Sequence, residues 1–195
     1  IGLHSIILDR CGYEVRSFEP DGVHFERLES NLVANDCKNV TANKTAISTE
    51  YGEVEFTRVL GNTTSSHITG SKENPYGELD QIMVPTMDVA DILKWADFVK
   101  IDIEGHERQV LLATHGADWN GVDALVEVGT TETASLLFDH LNAEGVNMFS
   151  QKLNWARVTR SEDLPTSYRE GSLFLTNDDE MLWPDLPVGD DHENC

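Results

Sequence analysis

The sequence is short of basic residues, of cysteine and of long apolar runs, and each shortage excludes something. Lys and Arg number 14 against 35 Asp and Glu, for a formal charge of −21. A nucleic acid needs basic patches to neutralise its phosphates, and an anionic membrane surface attracts the same residues, so the balance argues against both partners. No stretch reaches the roughly 18 consecutive apolar residues of a membrane span. The three cysteines, Cys11, Cys37 and Cys195, show neither paired nor metal-type spacing. That argues for reduced thiols in a cytoplasm, and against a disulfide framework or a thiolate metal site. Part of the acidity is local: seven acids and no Lys or Arg lie between Asn177 and Cys195. This end reads as a solvated acidic tail, 177–195.

What is present reads as one α/β domain over residues 1–176. At 195 residues the chain can bury a sizeable core, and helix and strand patterns alternate along it. A helix entered through Gly2 and ended by Gly12 is followed by a strand from Tyr13 to Phe18. A second helix, from about Asp21 to Asn35, has Asp21 as its N-cap and Phe25, Leu28 and Leu32 on one face. Strands are expected over Val40–Ile47 and Val54–Val59, and the polar stretch Gly61–Asp80 is expected to be a loop, either disordered or a substrate-facing lid. Ile82–Val84 look extended, and Met87–Trp95 look like a short helix. Thr131–Glu144 is amphipathic, with Ala134, Leu137, Phe138 and Leu141 sharing a face and Gly145 as the stop. Val146–Phe149, Trp155–Thr159 and Ser172–Thr176 leave no room for helices between them and predict antiparallel pairing at one edge.

Two strand ends carry the chemistry. Asp97–Gly105 reads as a strand buried on both faces, since Phe98, Val99, Ile101 and Ile103 form a nearly continuous apolar run. It stops in Asp102 and Glu104, and Gly105 lets the backbone turn into the helix that begins at His106. In open α/β sheets, ligands bind beyond the carboxyl ends of strands, so these acids are site candidates. Glu19 closes the Tyr13–Phe18 strand, 17 positions after Gly2. A carboxylate about 20 residues past a glycine turn accepts hydrogen bonds from a ribose diol in nucleotide-binding domains. That feature alone suits a nicotinamide-dependent oxidoreductase as well.

Ile1-Gly2-Leu3-His4-Ser5, Phe18-Glu19-Pro20, Thr45-Ala46-Ile47-Ser48 and Val99-Lys100-Ile101-Asp102-Ile103-Glu104-Gly105-His106-Glu107 stand in this order and spacing. In them the chain resembles the FkbM-type S-adenosylmethionine-dependent methyltransferases, over roughly 1–176. The resemblance implies a Rossmann-like class I methyltransferase sandwich, mostly parallel, with an antiparallel C-terminal edge. It also implies S-adenosyl-L-methionine as cofactor and an O-methyl transfer to a small molecule or saccharide. Ile1, Gly2, His4 and Ser5 would close the cofactor loop. Glu19 and Pro20 would lie at the ribose, Ala46 and Ile47 near the adenine, and Asp102 beside the sulfonium. Glu104, His106 and Glu107 would shape the acceptor side. The general base is one of Asp102, Glu104 and His106, and no metal is expected.

Such proteins normally carry an Asp-Val-Gly-Ala-Asn type strand and turn just before the Ile-Gly. The resemblance puts that strand at the sheet centre, between the strands ending at Glu19 and at Asp102. Its absence predicts that the chain is a fragment of a longer protein. If Ile1 were the true start, a non-catalytic Rossmann-like binding domain becomes the reading. The Asp-Ile-Glu-Gly strand end and the short C-terminal strands set the oxidoreductase reading behind the methyltransferase one.

Overall fold

The structure, a computed structural model, describes residues 1–60, 66–71 and 77–181. The chain opens with α1 (Leu3–Arg10), which Gly2 enters at φ 83°. A Cβ at that position would be strained and would approach Leu28 Cδ1 to 2.8 Å. Gly2→Ala is therefore expected to destabilise the protein by roughly 1–2 kcal/mol, read as a lower urea midpoint. β1 (Val15–Phe18), α2 (Gly22–Ala34) and β2 (Val40–Asn43) form a parallel βαβ unit. Asp21 caps α2 as its sequence position predicts, its Oδ1 accepting from the N–H groups of Val23 and His24. Leu28 and Leu32 are buried against Ile6 of α1.

A mixed sheet follows, built from β3 (Ala46–Ser48), β4 (Gly52–Leu60), β5 (His67–Ile68) and β6 (Glu78–Asp88) in the order β3-β6-β4-β5. β4 runs antiparallel to β6 over its own whole length, while β3 joins the end of β6 in parallel. Ala46, Phe56 and Val84 form its core. The single strand expected over Val40–Ile47 is thus two strands in different sheets, because the chain leaves β2 at Asn43 and pairs anew at Ala46. The expected Gly61–Asp80 loop holds β5 and the start of β6, although 61–65 and 72–76 lie outside the described residues. β6 is far longer than Ile82–Val84, and it runs to Asp88, which caps the short α3 (Val89–Leu93).

The remaining elements are β7 (Phe98–Ile101), α4 (Glu107–Leu112), β8 (Asp123–Glu127), α5 (Thr131–Ala143), β9 (Asn147–Ser150), β10 (Ala156–Arg157) and β11 (Ser172–Thr176). Their sheet has the order β10-β9-β11-β8-β7. The three short C-terminal strands pair antiparallel, as their spacing predicts, and β7 pairs parallel with β8. Thr130 caps α5, whose Ala134, Leu137 and Leu141 are buried. Trp119, Val126, Leu173 and Phe174 are fully buried in the same body, each contributing roughly 1.5–3 kcal/mol through removal from water.

Contacts divide the chain into two compact units. One comprises Ile1–Ala96 and Asp102–Thr114; the other comprises Asp97–Ile101 and the chain from His115 onward. The fold is α/β, yet the described strands form three separate hydrogen-bonded sheets with mixed pairing rather than one mostly parallel sheet. Among the described residues β1 pairs only with β2, and β7 only with β8. This changes the expectation for Asp97–Gly105. The strand is only four residues long and is an edge, so Phe98 stays 42% exposed and Lys100 is exposed, while Ile101 is buried. Apolar residues signal a strand with two covered faces only where neighbours lie on both sides. The tail beyond Met181 lies outside the described residues. No helix among the described residues is long and apolar enough to cross a membrane.

Candidate active site

All the carboxylates singled out in the sequence lie in the first unit. Glu19 follows β1 directly, and its Oε1 accepts from the N–H of Asp21 at 2.9 Å. Burial pushes its carboxyl up to about 7, against the smaller opposing pull of that N–H. Asp21 is itself buried. Its Oδ2 accepts from Arg58 Nε at 2.7 Å, and Arg58 Nη1 reaches Asp80 at 3.1 Å. Arg58 and Asp80 are cross-strand partners on β4 and β6, so this guanidinium ties the start of α2 to the mixed sheet. Burial acts to raise the Asp21 carboxyl. The His24 amide, the Arg58 guanidinium and the Val23 amide outweigh it and hold the group below the usual carboxylate range. Two neighbouring acids thus sit in opposite states: Asp21 is firmly ionised, and Glu19 is poised near neutrality.

The second group is the turn between β7 and α4. Glu104 and Gly105 both adopt positive φ, 57° and 99°. Gly105 does so freely, whereas Glu104 does so against a steric penalty of about 1–2 kcal/mol. Glu107 holds the turn in place. Its Oε1 accepts from the N–H of Ile103 at 2.7 Å, and its Oε2 from that of Gly105 at 2.9 Å. Burial raises the Glu107 carboxyl despite those amides. Asp102 is exposed and Glu104 half-buried. His106 is buried, its Nε2 3.3 Å from Ser48 Oγ and its Nδ1 3.1 Å from Ser71 Oγ. Burial holds its imidazole below the ordinary histidine value, so it is neutral at pH 7, donating to one hydroxyl and accepting from the other.

Glu107→Gln leaves one carbonyl oxygen for two backbone donors. A loss of about 1–3 kcal/mol is expected, with faster amide exchange at Ile103 or Gly105 as the local signature.

The other predicted positions divide. Ser5 Oγ lies 2.7 Å from Ser17 Oγ, joining α1 to β1. Ile1 is 44% exposed, and its carbonyl accepts from Asn31 Nδ2. His4 is exposed, and Pro20 is half-buried behind Glu19. The Ala46 side chain is packed into the core with Phe56 and Val84, so only its backbone is available to a ligand; Ile47 is half-buried. Sequence reasoning missed Arg58, Asp80, Ser48 and Ser71. Arg58 stands in a strand that also carries Glu53, Glu55 and Thr57, so nothing local singled it out. The hydroxyl partners of His106 lie 58 and 35 residues away and carry no local signal either. Among the described residues no three His, Cys, Asp or Glu side chains converge as metal ligands would.

A family model described as the methyltransferase FkbM domain matches residues 3–143. The chain belongs to the FkbM methyltransferase family. The matched span of this FkbM domain includes Glu19, Asp21, Arg58 and the whole Asp102–Glu107 turn, and ends with α5. β9, β10 and β11 lie beyond it. No curated protein and no solved structure matches the chain significantly. Family membership makes this a methyltransferase domain and leaves the oxidoreductase reading without support.

Proposed function

We propose that this FkbM domain uses S-adenosyl-L-methionine to methylate a hydroxyl of a small molecule or saccharide, within a Rossmann-like methyltransferase fold. The observation that carries the reading is Glu19: a largely buried carboxylate at a strand end, with one oxygen held by the Asp21 amide. Among the described residues no hydrogen bond engages its other oxygen. An ionised carboxylate fixed this way suits the two neighbouring hydroxyls of a ribose. α1 begins at Gly2 with no acid in its first turn and no side-chain cap, which leaves N–H donors for the methionine carboxylate. The bare Gly2 allows the close approach. The residues present therefore fit the cofactor.

When bound, the cofactor supplies a methyl group on a cationic sulfur. The chain must orient the acceptor oxygen in line with that methyl, exclude water and take up the hydroxyl proton. We assign proton uptake to Asp102 or Glu104, the more accessible of the three candidates. His106 acts as a positioning residue, holding the turn through Ser48 and Ser71. Titration of the protein with S-adenosylmethionine and S-adenosylhomocysteine in a calorimeter tests the reading. Saturable binding of both is expected, and heats no larger than dilution for both would reject it.

A further inference from the structure

Both carboxylate oxygens of Asp21 are engaged by the protein, so its part in the site is indirect. Oδ1 accepts from the N–H groups of Val23 and His24, and Oδ2 from Arg58 Nε. Its own backbone N–H is the donor that pins Glu19 Oε1. Whatever fixes Asp21 therefore fixes Glu19 as well. The capping amides belong to the same turn of chain, whereas the guanidinium reaches in from β4, 37 residues further on.

Arg58 is anchored from its far side too. Its Nη1 meets Asp80, which stands opposite it in the β4–β6 ladder. The donors of a guanidinium lie in one rigid plane, so two carboxylates hold it in a single orientation. The Asp21 side chain is 3% exposed and that of Asp80 46%, so the contact with Asp21 is the one that solvent screens least. The charge balance matters to Glu19, two residues away. The Asp21 charge acts to raise the Glu19 carboxyl and the Ile1 ammonium acts to lower it, while Arg58 and His24 act on Asp21 itself. With Asp21 balanced by the guanidinium, Glu19 is freer to carry the negative charge that accepts from two hydroxyls. Without that balance an unopposed carboxylate would face it and favour the protonated form, a poorer acceptor.

We propose that Arg58 is a positioning residue for the cofactor: through Asp21 it holds Glu19 in place and balances the negative charge beside it. This role rests on the reading of Glu19 as the ribose ligand. Arg58 acts from a strand of the mixed sheet, so that sheet helps to set the state of the cofactor carboxylate.

The test is the ¹³C carboxyl signal of the Glu19 side chain, followed by NMR from pH 5 to pH 9 in the whole protein without cofactor and assigned with Glu19→Gln. Arg58→Gln should raise the midpoint by about one pH unit, and Arg58→Lys, which keeps the charge, should return it most of the way. Asp21→Asn keeps the capping oxygen and leaves Arg58 unopposed, so it should lower the midpoint by a similar amount. That variant decides the matter even if Arg58→Gln does not fold. Calorimetry with S-adenosylmethionine gives the second readout. A midpoint moved from about 7 to about 8 cuts the ionised fraction roughly fivefold at pH 7 and hardly at pH 9. The loss of affinity in Arg58→Gln should therefore be about fivefold greater at pH 7 than at pH 9, whereas a purely structural role would weaken binding equally at both. A wild-type protein that binds no S-adenosylmethionine would overturn the ribose reading and leave the Glu19 midpoint to decide on Arg58. An unmoved midpoint in Arg58→Gln or in Asp21→Asn, or an equal loss of affinity at both pH values, would overturn the proposal.

Discussion

Glu19→Gln is expected to raise thermal stability at pH 8 while removing most of the affinity for S-adenosylmethionine. In the unfolded chain a glutamate titrates near its ordinary value of about 4.3, whereas in the fold Glu19 titrates at about 7. Between those values the folded protein holds the extra proton, so native stability falls as pH rises, by up to about 1.4 kcal/mol per pH unit. Below the unfolded value both states are protonated and the effect vanishes. Above about 7 it is complete, at about 3.5–4 kcal/mol. The glutamine keeps an oxygen for the Asp21 amide and never has to ionise. The variant should therefore melt several degrees above wild type at pH 8 and level with it at pH 4. Its cofactor affinity should fall roughly 10- to 100-fold, because a hydrogen bond to a charged acceptor contributes about 1.5–3 kcal/mol. Wild-type affinity should in turn strengthen from pH 6 to pH 8 as Glu19 ionises. Equal melting curves at pH 8, or undiminished cofactor binding, would remove Glu19 from its assigned place.

Asp21→Ala should be among the most destabilising single changes in the first unit. It removes the cap of α2, worth about 1 kcal/mol, and it takes from Arg58 the better buried of its two carboxylate partners. Breaking a buried pair from one side costs about 3–5 kcal/mol. The Arg58 side chain is 21% exposed, which moderates that figure, so a total near 3–4 kcal/mol is expected. Asp21→Asn keeps the capping oxygen and isolates the charge, and should lose about 2 kcal/mol. The sign of the pH dependence follows from the lowered carboxyl. The stabilisation is present above the ordinary aspartate value and is lost as pH falls through the lower folded one. Urea unfolding of both variants at pH 7 measures the effect. A loss below 1 kcal/mol for Asp21→Asn would show that the Arg58 pair contributes little.

Local rules were enough for part of this molecule. The N-cap at Asp21, the apolar stripe of α5 and the antiparallel C-terminal strands follow from spacings of a few residues, and all three are present. So is the turn at Gly105, with its positive φ. The sequence failed where partners come from afar. Val40–Ile47 looks continuous by composition, but its halves find different sheets. The apolar run from Phe98 to Ile103 carries no mark that its strand has one neighbour among the described residues. Asp102 and Glu107 look alike as acids near one turn, yet one is exposed and the other is buried beneath the backbone it holds.

The order of residues alone determined that Glu19 and Asp102 would each follow a strand, because hydrophobic period, glycine and helix caps act over one or two turns of chain. It also determined the family to which the chain belongs, since the motif blocks are linear. Tertiary structure decided which acids are ionised. Burial raises Glu19, the Arg58 guanidinium and helix amides lower Asp21, and Ser48 and Ser71 enclose His106. Those states depend on desolvation and on charges brought close by strands distant in sequence, and no short window of residues contains either.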